Sequence, residues 1–181
     1  MSTKVTLKNI VISYPNLFFT PKQIMNSGDP KYSTAVLIAN NDKANLDKLN
    51  AAIDAEKKDD KLKGIPARKI DSPLLDSDEE KPDDKYYAGC YYINAKASEN
   101  HPPKVVDRHV EPIMDQEEIY AGCICNVVVQ AYAYNFNGHA GIGLGLGNVQ
   151  KVKDGERMGG GSSAAEDDFA DLGDDGEEFL N

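Results

Sequence analysis

Glycine occupies every second position from Gly141 to Gly147, with Ile142, Leu144 and Leu146 between. Side chains on a strand alternate between its two faces, so this run is a strand with one apolar face and one bare face. A bare face weakens a strand unless something needs the room. Curvature in a closed barrel, close strand packing, and a groove floor that a polymer backbone can approach all fit. The spacing excludes a dinucleotide fingerprint, which needs G-x-G-x-x-G opening a helix, and there is no G-x-x-x-x-G-K-[ST] loop.

The rest of the body follows the same period. "KVTLKNIVISY" and "KYSTAVLIA" are rich in β-branched residues and alternate in part, so both predict strands. "YAGCYYINAKA" (87–97) and "YAGCICNVVVQA" (120–131) share a Tyr-Ala-Gly-Cys start, too short to mark a repeat, and each predicts a strand. The second runs to Phe136 and turns at "NFNGHAG" into the glycine strand, which continues to Lys153. "NNDKANLDKLNAAIDAEKK" predicts one helix, capped by Asn41 or Asp42, with Leu46, Leu49 and Ile53 on one face. The charged stretch from about 59 to 85, punctuated by Pro66, Pro73 and Pro82, predicts a long loop region, and "SENHPPKVVDRHVEPIMDQEE" a second. Several strands, one helix and long loops predict a mainly β chain that forms a small closed or half-closed barrel.

Charge divides the chain in two. Residues 1–153 hold 19 Lys and Arg against 20 Asp and Glu, while residues 154–181 hold one Arg against ten acids. The overall −10 therefore resides in the end, and the body is nearly neutral. The expected division is a folded domain over 1–153 and a Gly/Ser linker with a disordered acidic tail over 154–181. Nothing in the sequence reads as a signal peptide or a membrane-spanning helix. Three cysteines, Cys90, Cys123 and Cys125, suit a reducing cytoplasm better than a disulfide framework.

Parity assigns candidate binding residues. On the strand near residue 90, Tyr91, Ile93, Ala95 and Ala97 form the core set, with Tyr86, Cys90, Tyr92, Asn94 and Lys96 opposite. On the next, Cys125, Val127, Val129, Ala131 and Ala133 face the core, with Asn126, Val128, Gln130, Tyr132 and Tyr134 opposite. Tyrosines stack on bases of any identity, and lysines neutralise phosphates. Tyr86, Tyr92, Asn94, Lys96, Tyr132 and Tyr134, with Lys104, Arg108, Lys151 and Lys153, are thus the candidate nucleic-acid contacts. Half-exposed β-strand tyrosine is the competing structural reading. Cys123 and Cys125 lack a C-x-x-C partner and His101, His109 and His139 lack paired spacing, so no metal is expected. No nucleophile motif marks a catalytic site, so neither an enzyme nor a cofactor is expected.

"YYINAKASENHPPKVVDRHVEPIMD", "IYAGCICNVVVQAYAY", "GIGLGLGNVQKVKDGERMGGG" and "AAEDDF" together resemble phage and prophage single-stranded DNA-binding proteins related to those of short-tailed lytic phages. The likeness is collinear from about Lys4 to Phe169 and densest over 86–169. It implies an OB-fold, sequence-tolerant binding of single-stranded DNA in phage replication or recombination, and action in the bacterial host cytoplasm. It also implies a homodimer, and contacts of the acidic tail with replication proteins such as a polymerase, helicase or primase. Asp167, Asp168, Phe169, Asp174, Asp175, Glu177, Glu178, Phe179 and Leu180 are the expected tail contacts. The lytic-phage relatives end on an aromatic residue, whereas here Leu180 and Asn181 follow Phe179, which makes Phe169 the alternative anchor. The tail's acids would imitate a nucleic-acid backbone and occupy the body's own groove until DNA displaces them. The rival reading is an acidic DNA mimic or another interaction module that binds no DNA. A mimic needs its acids on the folded body, whereas these are in the tail.

Overall fold

Five long strands carry the architecture: β1 (Lys4–Asn16), β2 (Ser27–Ala39), β3 (Cys90–Ser98), β4 (Ile124–Phe136) and β5 (His139–Lys153). They are seen in a computed structural model, which describes residues 3–18, 22–24, 27–136 and 138–158. β1 pairs with β2, β2 with β3, β5 with β4, and β4 with β1, all antiparallel. The ring closes through a parallel contact between β3 and β5 at Lys96 and Gly145. This 1-2-3-5-4-1 order is a closed five-stranded barrel of the OB type. The tail residues from 159 onward lie outside the described residues.

The inward set follows the sequence period. Cys125, Val127, Val129, Ala131 and Ala133 of β4 meet Ile142, Leu144 and Leu146 of β5, Ile93, Ala95 and Ala97 of β3, and Leu7, Ile10 and Ile12 of β1 in one buried cluster. Each fully buried Val, Leu or Ile contributes about 1.5–3 kcal/mol. α1 (Lys43–Glu56) buries Leu49, Ala52 and Ile53, and Asp42 caps it by accepting from the Asn45 N–H at 3.3 Å.

Two of the chain's bulges alter the period at residues that matter for the site. In β1, Lys8 and Asn9 together face Asn126, between the pairs Leu7–Val127 and Ile10–Cys125. In β5, an extra residue lies between Leu146, opposite Val129, and Val149, opposite Val127. The inward set beyond it is therefore Val149 and Lys151, which reverses the parity read from the glycine run.

The charged stretch read as loop is more structured than expected. Ile70–Asp71 pairs with β5 at Ala140 and Gly141, and Leu75–Asp76 pairs with β3 at Tyr92 and Tyr91. Val105–Val106, in the second loop, adds to β5 at Val149 and Gln150. The short β3–β5 seam is thus flanked at both ends. Among the described residues, no helix is long and apolar enough to cross a membrane.

Candidate nucleic-acid interface

Gly141 and Gly143 are bare because tyrosines lie over them. A Cβ on Gly143 would meet the Tyr132 ring at 2.4 Å, and one on Gly141 would meet the Tyr134 hydroxyl at 2.6 Å. Tyr132 and Tyr134 stand opposite these glycines in the β4–β5 ladder, and their ring centroids are 6.4 Å apart. The glycine face that suggested an open groove floor is, at these positions, a bed for rings from the same sheet. At Gly145 the floor is open, with the nearest neighbour of an added Cβ at 3.6 Å.

Beside Gly145 lies Lys96, and Ser33 follows on β2. Two residues back on the same strand, Asn94 pairs with Ala35. Asn94, Lys96, Gln130 and Tyr132 are exposed, and Tyr132 retains 49% of its surface. One outer face therefore presents an aromatic ring, two amides, a lysine and a floor of glycine, alanine and serine. From Ile119 to Gln150 there is no Lys, Arg, Asp or Glu, so the aromatic part of this face is free of carboxylates from its own hairpin.

Tyr14 and Phe136 join the exposed aromatics, and neither was among the sequence candidates. Tyr14 is 67% exposed and sits at an irregularity of the β1–β2 ladder with φ near 48°. The Lys81 ammonium lies 5.7 Å from its ring centroid. Period alone gives Tyr14 no special exposure. Lys81 comes from the charged loop, where one cation among many acids carries no signal.

Tyr92 is a correction. Expected on the outer face, it does point outward, but it is 6% exposed. Tyr87 packs edge-on to it at 5.4 Å, Lys81 lies over both rings, and Leu37 and Leu75 fill the remainder. Tyr91, assigned to the core, is half-buried. Tyr86 is half-buried against the same cluster. Tyr134 is half-buried, and burial followed by the Asp71 carboxylate pushes its phenol above the ordinary value.

Lys151 is the second correction. The β5 bulge turns it inward, leaving its side chain 11% exposed. Its ammonium donates to Asp154 at 2.6 Å and Glu118 at 3.2 Å. Burial acts against its charge, but these two carboxylates outweigh burial and raise its pKa. Its charge is spent inside the protein. Lys104, Arg108 and Lys153 are exposed near the upper part of β5. Arg108 donates to the Val152 carbonyl at 3.0 Å, and the Lys104 N–H donates to Asn148 at 3.1 Å. Asp107, Asp115 and Asp154 share the cleft beside Arg108 and Lys153, so charge there is mixed.

The segment after β5 also packs on the body. Asp154 and the Gly155 carbonyl accept from the Tyr120 hydroxyl, the Gly155 N–H donates back to it, and the Met158 N–H donates to the Ala121 carbonyl. Arg157 stacks 4.0 Å over the Tyr120 ring. The tail candidates Asp167 to Leu180 lie outside the described residues.

Known proteins place this geometry in a family. The family model of the Enterobacter phage Enc34 ssDNA-binding protein matches residues 3–180. Protein p50 of Acyrthosiphon pisum secondary endosymbiont phage 1 is 32% identical, over 93% of this chain and 94% of that one. The single-stranded DNA-binding protein of bacteriophage Enc34, solved in complex with ssDNA, superposes with a TM-score of 0.76 at 26% identity, covering 87% of this chain and 90% of that one. The single-stranded DNA binding protein gp2.5 of bacteriophage T7 shares the fold, with a TM-score of 0.54 at 16% identity over 89% of this chain and 97% of that one. The chain belongs to the Enc34 ssDNA-binding protein family.

Proposed function

We propose that the protein binds single-stranded DNA without sequence preference and without catalysis, on the outer face that joins Tyr132, Gln130, Gly145, Asn94 and Lys96, with Tyr14 and Phe136 at its margins. The observation that carries this is Tyr132 laid on the Gly143 bed beside a lysine and two amides: a rigid stacking platform next to a phosphate contact. Family membership and the Enc34 protein's complex with ssDNA support the same reading. Lys104, Arg108 and Lys153 extend the cationic margin; Tyr86, Tyr92 and Lys151 are not part of the contact. The role is replication or recombination of phage DNA in the host cell.

A gel shift with labelled oligothymidine, with and without magnesium, tests this. We expect a metal-independent shift, preference for single strands over duplex, and a log–log salt slope of about −0.7 per neutralised phosphate. Equal duplex affinity or a flat salt response overturns it, and metal-dependent loss of the oligomer indicates a nuclease instead.

The tail adds competition and recruitment. Its root at Met158 packs near Ile124, and Ile124 and Tyr132 are eight residues apart on β4, about 26 Å at ~3.3 Å per residue. Phe169 follows Met158 by 11 residues, enough extended chain for about 36 Å. A chain of that length spans the distance to the DNA face, so the acids around Phe169 would compete there at high effective concentration. Truncation after Gly161 should tighten DNA binding, most at low salt where screening is weakest, and abolish capture of a replication polymerase, helicase or primase. Affinity unchanged by truncation would exclude competition, and partner capture intact would exclude recruitment.

A further inference from the structure

The bulge in β1 places a second cation where the sequence offers no sign of one. Lys8 and Asn9 share one pairing position, and both are locked. Asn45 of α1 accepts from the Lys8 N–H at 3.0 Å and donates to the Lys8 carbonyl at 2.8 Å. Asn45 is itself buried and held by Asp42 at 2.7 Å. Asn9, at φ near 55°, donates its N–H to Asn126 at 2.9 Å. A left-handed non-glycine residue is strained and persists where its surroundings enforce it.

What the bulge builds is a cavity of about 220 Å³ lined by Lys8, Asn9, Arg108, Asn126, Gln150 and Lys151, with Val152 beside them. Its floor is an amide chain: Asn126 donates to Gln150 at 3.0 Å, and Gln150 donates to the carbonyls of Asp107 and Arg108. Among the described residues no carboxylate lines it, in contrast to the acid-rich cleft next to it. Lys151 is neutralised by Glu118 and Asp154, so the pocket's charge comes from Lys8, which is in no ion pair among the described residues, with Arg108 at the border of the acid-lined cleft. Asn126 lies six residues from Tyr132 on the outward row of β4, about 20 Å along the strand.

We infer that the Lys8–Arg108 pocket is a phosphate subsite that holds one backbone phosphodiester of the bound strand, continuing the track beyond Tyr132. This rests on the single-stranded DNA reading above. Lys8 supplies a point charge, Arg108 a fork suited to phosphate oxygens, and the bulge fixes where the charge stands.

The test is the salt dependence of oligothymidine binding by the full chain and by Lys8→Ala, Lys8→Arg and Lys58→Ala, the last removing an exposed charge on the C-terminal side of α1. Asn45 grips only the backbone of Lys8, so the alanine variant keeps the clamp. Lys8→Ala should make the log–log slope shallower by about 0.7 and weaken binding about eightfold at 50 mM salt. Lys8→Arg should restore both, and Lys58→Ala should change neither. An unchanged slope in Lys8→Ala, with wild-type binding intact, overturns the subsite alone; absence of wild-type binding overturns the reading beneath it. Saturable micromolar perturbation of Lys8 and Asn9 amide signals by inorganic phosphate, with no slope change on DNA, assigns the pocket to free phosphate and overturns the backbone assignment.

Discussion

Tyr132→Ala weakens oligothymidine binding by about 1–3 kcal/mol and leaves the thermal midpoint nearly unchanged, whereas Tyr92→Ala does the reverse. The two residues have the same chemistry and the same outward parity, so only burial separates them. Tyr132 keeps half its surface and rests one side of its ring on Gly143, which leaves the other side for a base. Removing it uncovers glycine and opens no core cavity. Tyr92 is enclosed by Tyr87, Lys81, Leu37 and Leu75, and truncating a buried aromatic to alanine costs about 3–5 kcal/mol. Fluorescence titration with oligothymidine and a thermal melt, run on both variants, read the two effects separately. Loss of binding by Tyr92→Ala at full stability, with Tyr132→Ala silent, would place the DNA on the other part of the barrel.

That contrast shows where sequence reading ends. Period two was sufficient to find β4 and β5, to orient Cys125 through Ala133 inward, and to place Asn94 and Lys96 outside, because each of these depends only on the local alternation of a paired strand. It could not place Tyr92, whose cover comes from Leu37 and Tyr87 together with Leu75 and Lys81, the last two arriving from a stretch with the composition of a loop. Lys151 escapes the local period for a different reason. A single extra residue opposite the Val127–Val129 step reverses parity, and the residues there, Gly147 and Asn148, look like a continuation of the glycine run. The placement of Lys8 is hidden in the same way, since a bulge is a property of two strands and appears in neither alone. The glycine run does demand room, but the occupant at Gly141 and Gly143 comes from the neighbouring strand.

Gly122→Ala should be among the most destabilising single changes outside the barrel core. Gly122 sits at φ +111°, and a Cβ there would fall 1.9 Å from the Glu156 carbonyl oxygen. Gly155 makes the reciprocal approach: a Cβ there would fall 2.0 Å from the Gly122 carbonyl oxygen. Backbone meets backbone at both points, so no side chain can swing aside. To admit a methyl group, Asp154–Met158 must lift from the body. That loses the Met158–Ala121 hydrogen bond, the Tyr120–Asp154 and Tyr120–Gly155 contacts and the Arg157 stack, and it leaves buried Lys151 with Glu118 as its remaining acid. Gly64 is the control: at φ +83° it carries similar backbone strain but has nothing within 4 Å of an added Cβ. Gly64→Ala should therefore cost about 1 kcal/mol, and Gly122→Ala about 3 kcal/mol or more, a difference of roughly 4–8 °C in Tm for a domain of this size. Limited proteolysis should then cut next to Arg157 in Gly122→Ala but not in Gly64→Ala, because the lifted segment becomes a substrate. Equal melting shifts and equal cleavage in the two variants would mean that the segment leaves the body at no cost, and that the tail has no fixed root from which to reach the DNA face.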